Sequence, residues 1–289
     1  MTRTLALTAR LPDDAHELLI AAFADLGFDA FESETGRVVA YLPAPQWTDT
    51  VREEAERAAS RLGAALPLTE TLIEPVDWNA EWEASLQAVE AGHFVVAPSW
   101  AEAPAGDGRH VLRVDPKMSF GTGYHPSTRL CLRLLSEPGA VAPGARVLDV
   151  GTGTGVLAFA ALRLGAARAL GVDTDPWSVT NATENADLNK LAEHFEVREG
   201  SVEVVPPGAY DLILANILRS VILPLLPDLA GRLAPGATLV LAGLLRSESA
   251  EVEAALERVG LAIVSEAGEA EWWACRAGHA ADRSRERPA

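Results

Sequence analysis

The residues with the plainest chemical content form one run, Val147-Leu148-Asp149-Val150-Gly151-Thr152-Gly153-Thr154-Gly155. An apolar strand passes into a turn with glycine at every second position, and a helix follows. Glycine lets a backbone pass close to a ligand, and a helix N-terminus presents free N–H groups. The spacing is G-x-G-x-G, because position 156 is valine. A dinucleotide fold uses G-x-G-x-x-G to set a pyrophosphate on the helix dipole. A ligand without phosphate needs only the close backbone approach. Asp173 ends the next strand, 22 residues after Gly151. A carboxylate at that spacing accepts both ribose hydroxyls of an adenosine at the carboxyl edge of a parallel sheet. Asp175, directly before Pro176, suits the cap of the following helix.

Two further segments point at the same edge. Asn216 follows the strand Leu212-Ile213-Leu214 and precedes Ile217-Leu218. Its amide oxygen would accept an N–H from a substrate amine and aim the nitrogen lone pair. It would equally serve as a helix N-cap, and local pattern leaves both readings open. The stretch from Asp115 to Thr128 holds Phe120-Gly121-Thr122-Gly123, then His125. It reads either as a loop pressed on a ligand, with the Thr128 hydroxyl facing it, or as a plain turn before a helix. His125 has no second histidine or acid placed to make a triad or metal site, so a structural or capping role is expected.

The elements that position these residues follow from periodicity. Strands are expected at Arg146–Val150, Ala169–Val172, Phe195–Arg198, Asp211–Ala215 and Thr238–Ala242. Helices are expected at 155–164, 176–189, 217–233 and 247–259. This alternation is the signature of a parallel sheet. Ala262–Arg276 reads as an antiparallel edge hairpin turning at Gly268, and 277–289 as a flexible tail. Residues 1–73 read differently. Strands at Thr4–Thr8, Phe28–Glu32, Arg37–Leu42 and Leu66–Ile73 enclose helices from Pro12 to Leu26 and Thr48 to Leu62. The order β-α-β-β-α-β is ferredoxin-like. Between the two units, 74–91 reads as a linker helix in which Trp78 and Trp82 share a face. The α/β domain then spans 92–276.

Composition narrows the function classes. Hydrophobic residues make up 48% and charged residues 22% of the 289, as in a globular protein. The formal charge of −17 argues against nonspecific nucleic-acid binding and fits a basic partner. No apolar run is long enough for a membrane helix, and no signal peptide is evident. Cys131 and Cys275 are too few for a disulfide scaffold or a cysteine metal site. A cytoplasmic location is expected. Only Lys117 and Lys190 supply lysine, which reads as a compositional bias.

Together the glycine loop and the acid ending the next strand resemble class I S-adenosylmethionine-dependent methyltransferases. The whole constellation is similar to the ribosomal protein L11 methyltransferase family. That family is marked by a Phe-Gly-Thr-Gly loop followed by histidine and threonine, as in Phe120 to Thr128. It carries an Asn-Ile-Leu-type segment, here Asn216-Ile217-Leu218. The resemblance extends to the tryptophan-rich linker, to Ala97-Pro98-Ser99-Trp100 and to Glu271-Trp272. It implies a mostly parallel seven-stranded Rossmann-like sheet with an antiparallel edge hairpin, behind a small α+β domain. It implies S-adenosyl-L-methionine as cofactor, contacted at Thr128, Gly151, Asp173 and Asn216, with Gly153 and Gly155 completing the loop. No metal is implied. The partner implied is ribosomal protein L11, methylated on lysine ε-amines and the N-terminal α-amine and recognised by residues 1–73; a monomer is expected. A small-molecule methyltransferase and a non-catalytic binding module share the cofactor domain, since fold alone does not fix function. The glycine spacing speaks against an NAD-dependent oxidoreductase.

Overall fold

The computed structural model describes residues 3–73, 86–103, 106, 108–117 and 119–280. The chain divides into two compact units, Met1–Trp78 and Asn79–Ala289. The first contains β1 (Thr4–Arg10), α1 (His16–Ala24), β2 (Ala30–Glu34), β3 (Arg37–Pro43), α2 (Asp49–Arg61) and β4 (Thr69–Ile73). The sheet order is β2-β3-β1-β4, with each neighbouring pair antiparallel. This is the arrangement expected from a β-α-β-β-α-β order. Period-two alternation sends Leu7 and Ala9 of β1, and Val38, Ala40 and Leu42 of β3, into one core with Leu19, Phe23, Ala55 and Ala59 of the helices. Phe23 is fully buried, and burial of such a side chain contributes about 2–3 kcal/mol. The Thr48 hydroxyl accepts the Val51 N–H and starts α2.

Most of the expected linker helix, 74–85 with Trp78 and Trp82, lies outside the described residues. Its last residues are not helical. Val89–Ala91 is a strand, β5, antiparallel to β6 (Phe94–Ala97), which runs parallel to β7 (His110–Arg113). Gly92 turns the chain between β5 and β6 with φ +56°. A three-residue strand has no room to display an alternating pattern.

The larger sheet holds β8 (Arg146–Val150), β9 (Arg168–Asp173), β10 (Phe195–Glu199), β11 (Tyr210–Asn216), β12 (Leu233–Leu245), β13 (Leu261–Glu269) and β14 (Trp272–His279). Its order is β10-β9-β8-β11-β12-β14-β13. Strands β8 to β12 pair in parallel, and β14 is antiparallel to both its neighbours. The helices are α3 (Pro126–Leu135), α4 (Val156–Arg163), α5 (Pro176–Leu188), α6 (Arg219–Gly231) and α7 (Ser249–Arg258). They cover the sheet and bury two apolar clusters, one on Leu130, Phe159 and Leu214, the other on Leu148, Ile213 and Leu226. Strands buried on both faces explain the near-continuous apolar runs.

Two expectations are corrected at the hairpin. The turn falls at Ala270-Glu271, not at Gly268, which stays in β13 opposite Trp273. A side chain at 268 would collide with the guanidinium of Arg246, whose Nε donates to Ala270 O at 2.8 Å. Glycine is there to let that arginine cross the strand. Residues Ala277–His279 belong to β14, where Ala277 and Gly278 pair with Leu239 and Thr238; the rest of the expected tail, from 281, lies outside the described residues.

Candidate active site

Strand order reverses at β8, between β9 and β11, which is where open α/β sheets bind ligands. A cleft of about 670 Å3 opens there. Four of the expected residues line it: Gly151 and Gly153 after β8, Asp173 at the end of β9, and Asn216 at the end of β11. Thr128 and Gly155 stand one layer back. Thr128 is fully buried in α3, with its hydroxyl 3.4 Å from Asn216 Nδ2. Gly155 is the N-cap of α4 with φ +85°, and a Cβ there would overlap the Phe159 ring. Its glycine is required by packing.

Gly153 is pinned on two sides. A Cβ there would overlap the carbonyl oxygen of Phe120. That same oxygen accepts the Thr154 N–H at 2.9 Å, and the Thr154 hydroxyl donates to Gly121 O at 2.9 Å. The glycine loop and the 119–121 segment are therefore zipped together by backbone groups. The Gly153 N–H donates to Asp173 Oδ2 at 2.8 Å, while Oδ1 accepts the Asp175 N–H at 3.0 Å. Two backbone donors hold the Asp173 carboxylate at the cleft with lone pairs to spare. Asp175 caps α5, accepting from Trp177 N at 3.0 Å and Ser178 Oγ at 3.1 Å. The helix-capping role expected of Asp175 is thus seen.

The structure excludes one of the two readings of Asn216, the helix cap. The N-cap of α6 is Leu218, without a side-chain cap, so Asn216 is no helix cap. Asn216 lines the cleft at the end of β11, and its Oδ1 is buried there without a hydrogen-bond partner. Ile217 fixes it there. A Cβ at Gly151 would overlap the Ile217 side chain, and one at Gly243 would lie 2.5 Å from the Ile217 carbonyl oxygen. Ile217 is thus wedged between two glycines, at the strands on either side of β11.

An aromatic wall completes the site. Phe120 and His125 rings stand 5.1 Å apart, and His125 meets Trp272 edge-on at 4.3 Å. His125 caps α3, its Nδ1 accepting the Ser127 N–H at 3.2 Å. Burial first, then the Arg129 guanidinium, hold its pKa below the ordinary imidazole value, and Glu271 opposes them. With Nδ1 accepting, the neutral ring carries its proton on Nε2. No group of three or more His, Cys, Asp or Glu that could hold a metal occurs among the described residues. Both cysteines are buried with thiol pKa values pushed up by burial, Cys275 to about 12.

Asp149, the acid inside Val147-Leu148-Asp149-Val150, is a buried titratable group beneath the glycine loop. It is 1% exposed. Thr152 Oγ1 donates to its Oδ2 at 2.8 Å and Ala158 N–H at 3.3 Å, while Oδ1 has no partner. Burial pushes its pKa from 3.8 to about 7; the two hydrogen bonds oppose the shift and Asp173 adds to it. The native state therefore binds a proton between about pH 4 and 7 that the unfolded chain has lost. Stability from this group is complete below pH 3.8 and falls as pH rises to 7, by about 4 kcal/mol in the limit. In Asp149→Asn, the stability difference between pH 5 and pH 8 is expected to shrink by several kcal/mol. Urea unfolding at both pH values measures it, and an unchanged difference would refute the assignment.

The ribosomal protein L11 methyltransferase family matches residues 19–279. A ribosomal protein L11 methyltransferase of Pelotomaculum thermopropionicum is 41% identical over 244 residues, covering 83% of this chain and 79% of its own. One of Myxococcus xanthus is 37% identical over 281 residues, covering 93% and 96%. The crystal structure of a ribosomal protein L11 methylase from Lactobacillus delbrueckii subsp. bulgaricus superposes with a TM-score of 0.61 at 30% identity. It covers 67% of this chain and 99% of that one. With the family matched from residue 19 to 279 and relatives 37–41% identical over most of its length, this chain belongs to the ribosomal protein L11 methyltransferase family.

Proposed function

We propose that this protein transfers methyl groups from S-adenosyl-L-methionine to amino groups of ribosomal protein L11. The observation that carries the chemistry is the unpartnered Asn216 Oδ1 on a cleft whose backbone is kept bare by glycine. The donor set fits the cofactor. Asp173 offers carboxylate lone pairs to ribose hydroxyls, and Gly151 and Gly153 let the backbone come close. Thr128 and Gly155 act from behind, through Asn216 and the α4 cap. When bound, the cofactor supplies an electrophilic methyl group on a sulfonium, so no covalent enzyme intermediate is needed.

The protein must then orient a neutral amine. Deprotonating a lysine of pKa ~10.4 at pH 7 costs about 5 kcal/mol, against about 1.4 kcal/mol for an α-amine of pKa ~8. Asn216 Oδ1 accepts the remaining N–H and aims the lone pair. His125 is not the base, because its Nδ1 lone pair is taken by the Ser127 N–H. The proton leaves to solvent before attack. Proximity and orientation contribute roughly 7–11 kcal/mol to such a transfer. Residues 1–73 recognise L11, and the acidic balance of −17 favours a basic partner. The protein works as a monomer in the cytoplasm; no described helix is long and apolar enough to cross a membrane.

The test is incubation with radiolabelled S-adenosylmethionine and purified L11, followed by the intact mass of L11. Mass gains in steps of one methyl are expected. No gain, with cofactor binding established separately, would overturn L11 as the substrate.

A further inference from the structure

Three asparagines on one face of α5 have no part in the chemistry above. Asn181, Asn185 and Asn189 recur every fourth residue, and all are buried. Asn189 Oδ1 accepts Arg113 N–H at 2.9 Å and its Nδ2 donates to Arg113 O at 2.6 Å. Asn185 Oδ1 accepts Asp115 N–H at 3.0 Å, and its Nδ2 lies 3.3 Å from Asp115 O. Asn181 Nδ2 donates to Asp115 O at 2.9 Å. The repeats match: four helical residues rise about 6.0 Å, and two extended residues about 6.6 Å. On its other side the same segment bonds to β6 and its flanks, through His110 N–H to His93 O and Val114 N–H to Ala97 O. The amide ladder takes the place of a missing neighbour strand, which a buried edge would otherwise need.

The rungs differ in one respect. Asn185 Nδ2 also donates to Thr154 O at 3.1 Å. Thr154 belongs to the glycine loop and is zipped to Phe120 and Gly121. Asn185 thus ties the chain leading into the 119–121 wall to the glycine loop opposite it, from one fully buried amide.

We infer that Asn185 is a positioning residue for the cofactor cleft, holding the glycine loop and the 115–121 segment in register before the cofactor arrives. The inference rests on the cofactor reading above. Asn189, whose side chain bonds only the backbone of Arg113 and its own helix turn, is the internal control. Each rung removes comparable hydrogen bonds, so both Asn185→Ala and Asn189→Ala should lower the melting temperature. Asn185→Ala should weaken binding of S-adenosylhomocysteine about tenfold or more, and Asn189→Ala by less than about threefold. The KM for S-adenosylmethionine should rise in the first variant with kcat less affected. Affinity falling in step with melting temperature in both variants, or unchanged in Asn185→Ala, would overturn the inference. Asn185→Asp is the second variant: it keeps the acceptor for Asp115 N–H and loses the donor to Thr154 O. Should neither 185 variant fold, hydrogen exchange of the wild-type protein decides. S-adenosylhomocysteine should protect the Asp115 and Thr154 amides together, and protection of Thr154 alone would refute the coupling. Wild-type protein that binds no S-adenosylhomocysteine would overturn the cofactor reading and this inference with it, whereas wild-type binding with an insensitive Asn185→Ala overturns the inference alone.

Discussion

Gly153→Ala is expected to reduce S-adenosylhomocysteine affinity by about 100-fold or more and to destabilise the protein by about 2–5 kcal/mol. Two costs add. The residue sits at φ +54°, where an L side chain is strained by about 1–2 kcal/mol. The added Cβ overlaps a backbone oxygen, that of Phe120, which no rotamer change removes. Relief requires moving the loop away from the 119–121 segment. That motion also pulls the Gly153 N–H off Asp173, so the carboxylate loses one of its two donors. Calorimetric titration and thermal unfolding read both effects. A variant of wild-type affinity would show that the loop does not approach the cofactor closely.

Asn216→Ala should do the reverse to stability and worse to turnover. Its Oδ1 is a buried acceptor without a partner in the free protein, a state that costs about 1–3 kcal/mol. Its amide makes only a long contact with Thr128. Removing it should hold or raise the melting temperature. It should lower kcat for methyl transfer by about 100-fold, because a misaligned nucleophile loses the orientation term. S-adenosylhomocysteine affinity should change far less than kcat. Intact turnover in a folded variant would remove Asn216 from the mechanism. The pair of variants separates the effect of crowding the glycine loop from that of removing an unsatisfied buried acceptor.

Much of this was legible in the sequence, for identifiable reasons. Strand β8 was placed at Arg146–Val150 because a run of apolar residues ends at glycine, and Asp173 because it closes the next such run. The cap at Asp175 is legible from the proline that follows it. What escaped depends on side-chain layers. Thr128 and Asn216 were both assigned to the ligand, yet spacing alone cannot tell a surface from the layer beneath it. The asparagine ladder repeats every four residues, as a solvent-facing helix stripe does, and only its extended partner shows it to be buried. The hairpin turn was misplaced because Gly268 answers to Arg246, a residue 22 positions away.

The place of β14 in the sheet has a consequence for synthesis. It lies between β12 and β13, so β13 is synthesised before β14, its one partner strand among the described residues. Until Trp272–His279 has emerged, β12 presents an unpaired edge and β13 has nothing to pair with, a situation that invites aggregation. Trp272 opens β14 and lines the cleft. A nascent chain that has already formed its glycine loop therefore still lacks one wall of its active site. Activity is gained in one late event, and a chain stopped between β13 and β14 is predicted to be a ready substrate for quality-control proteases.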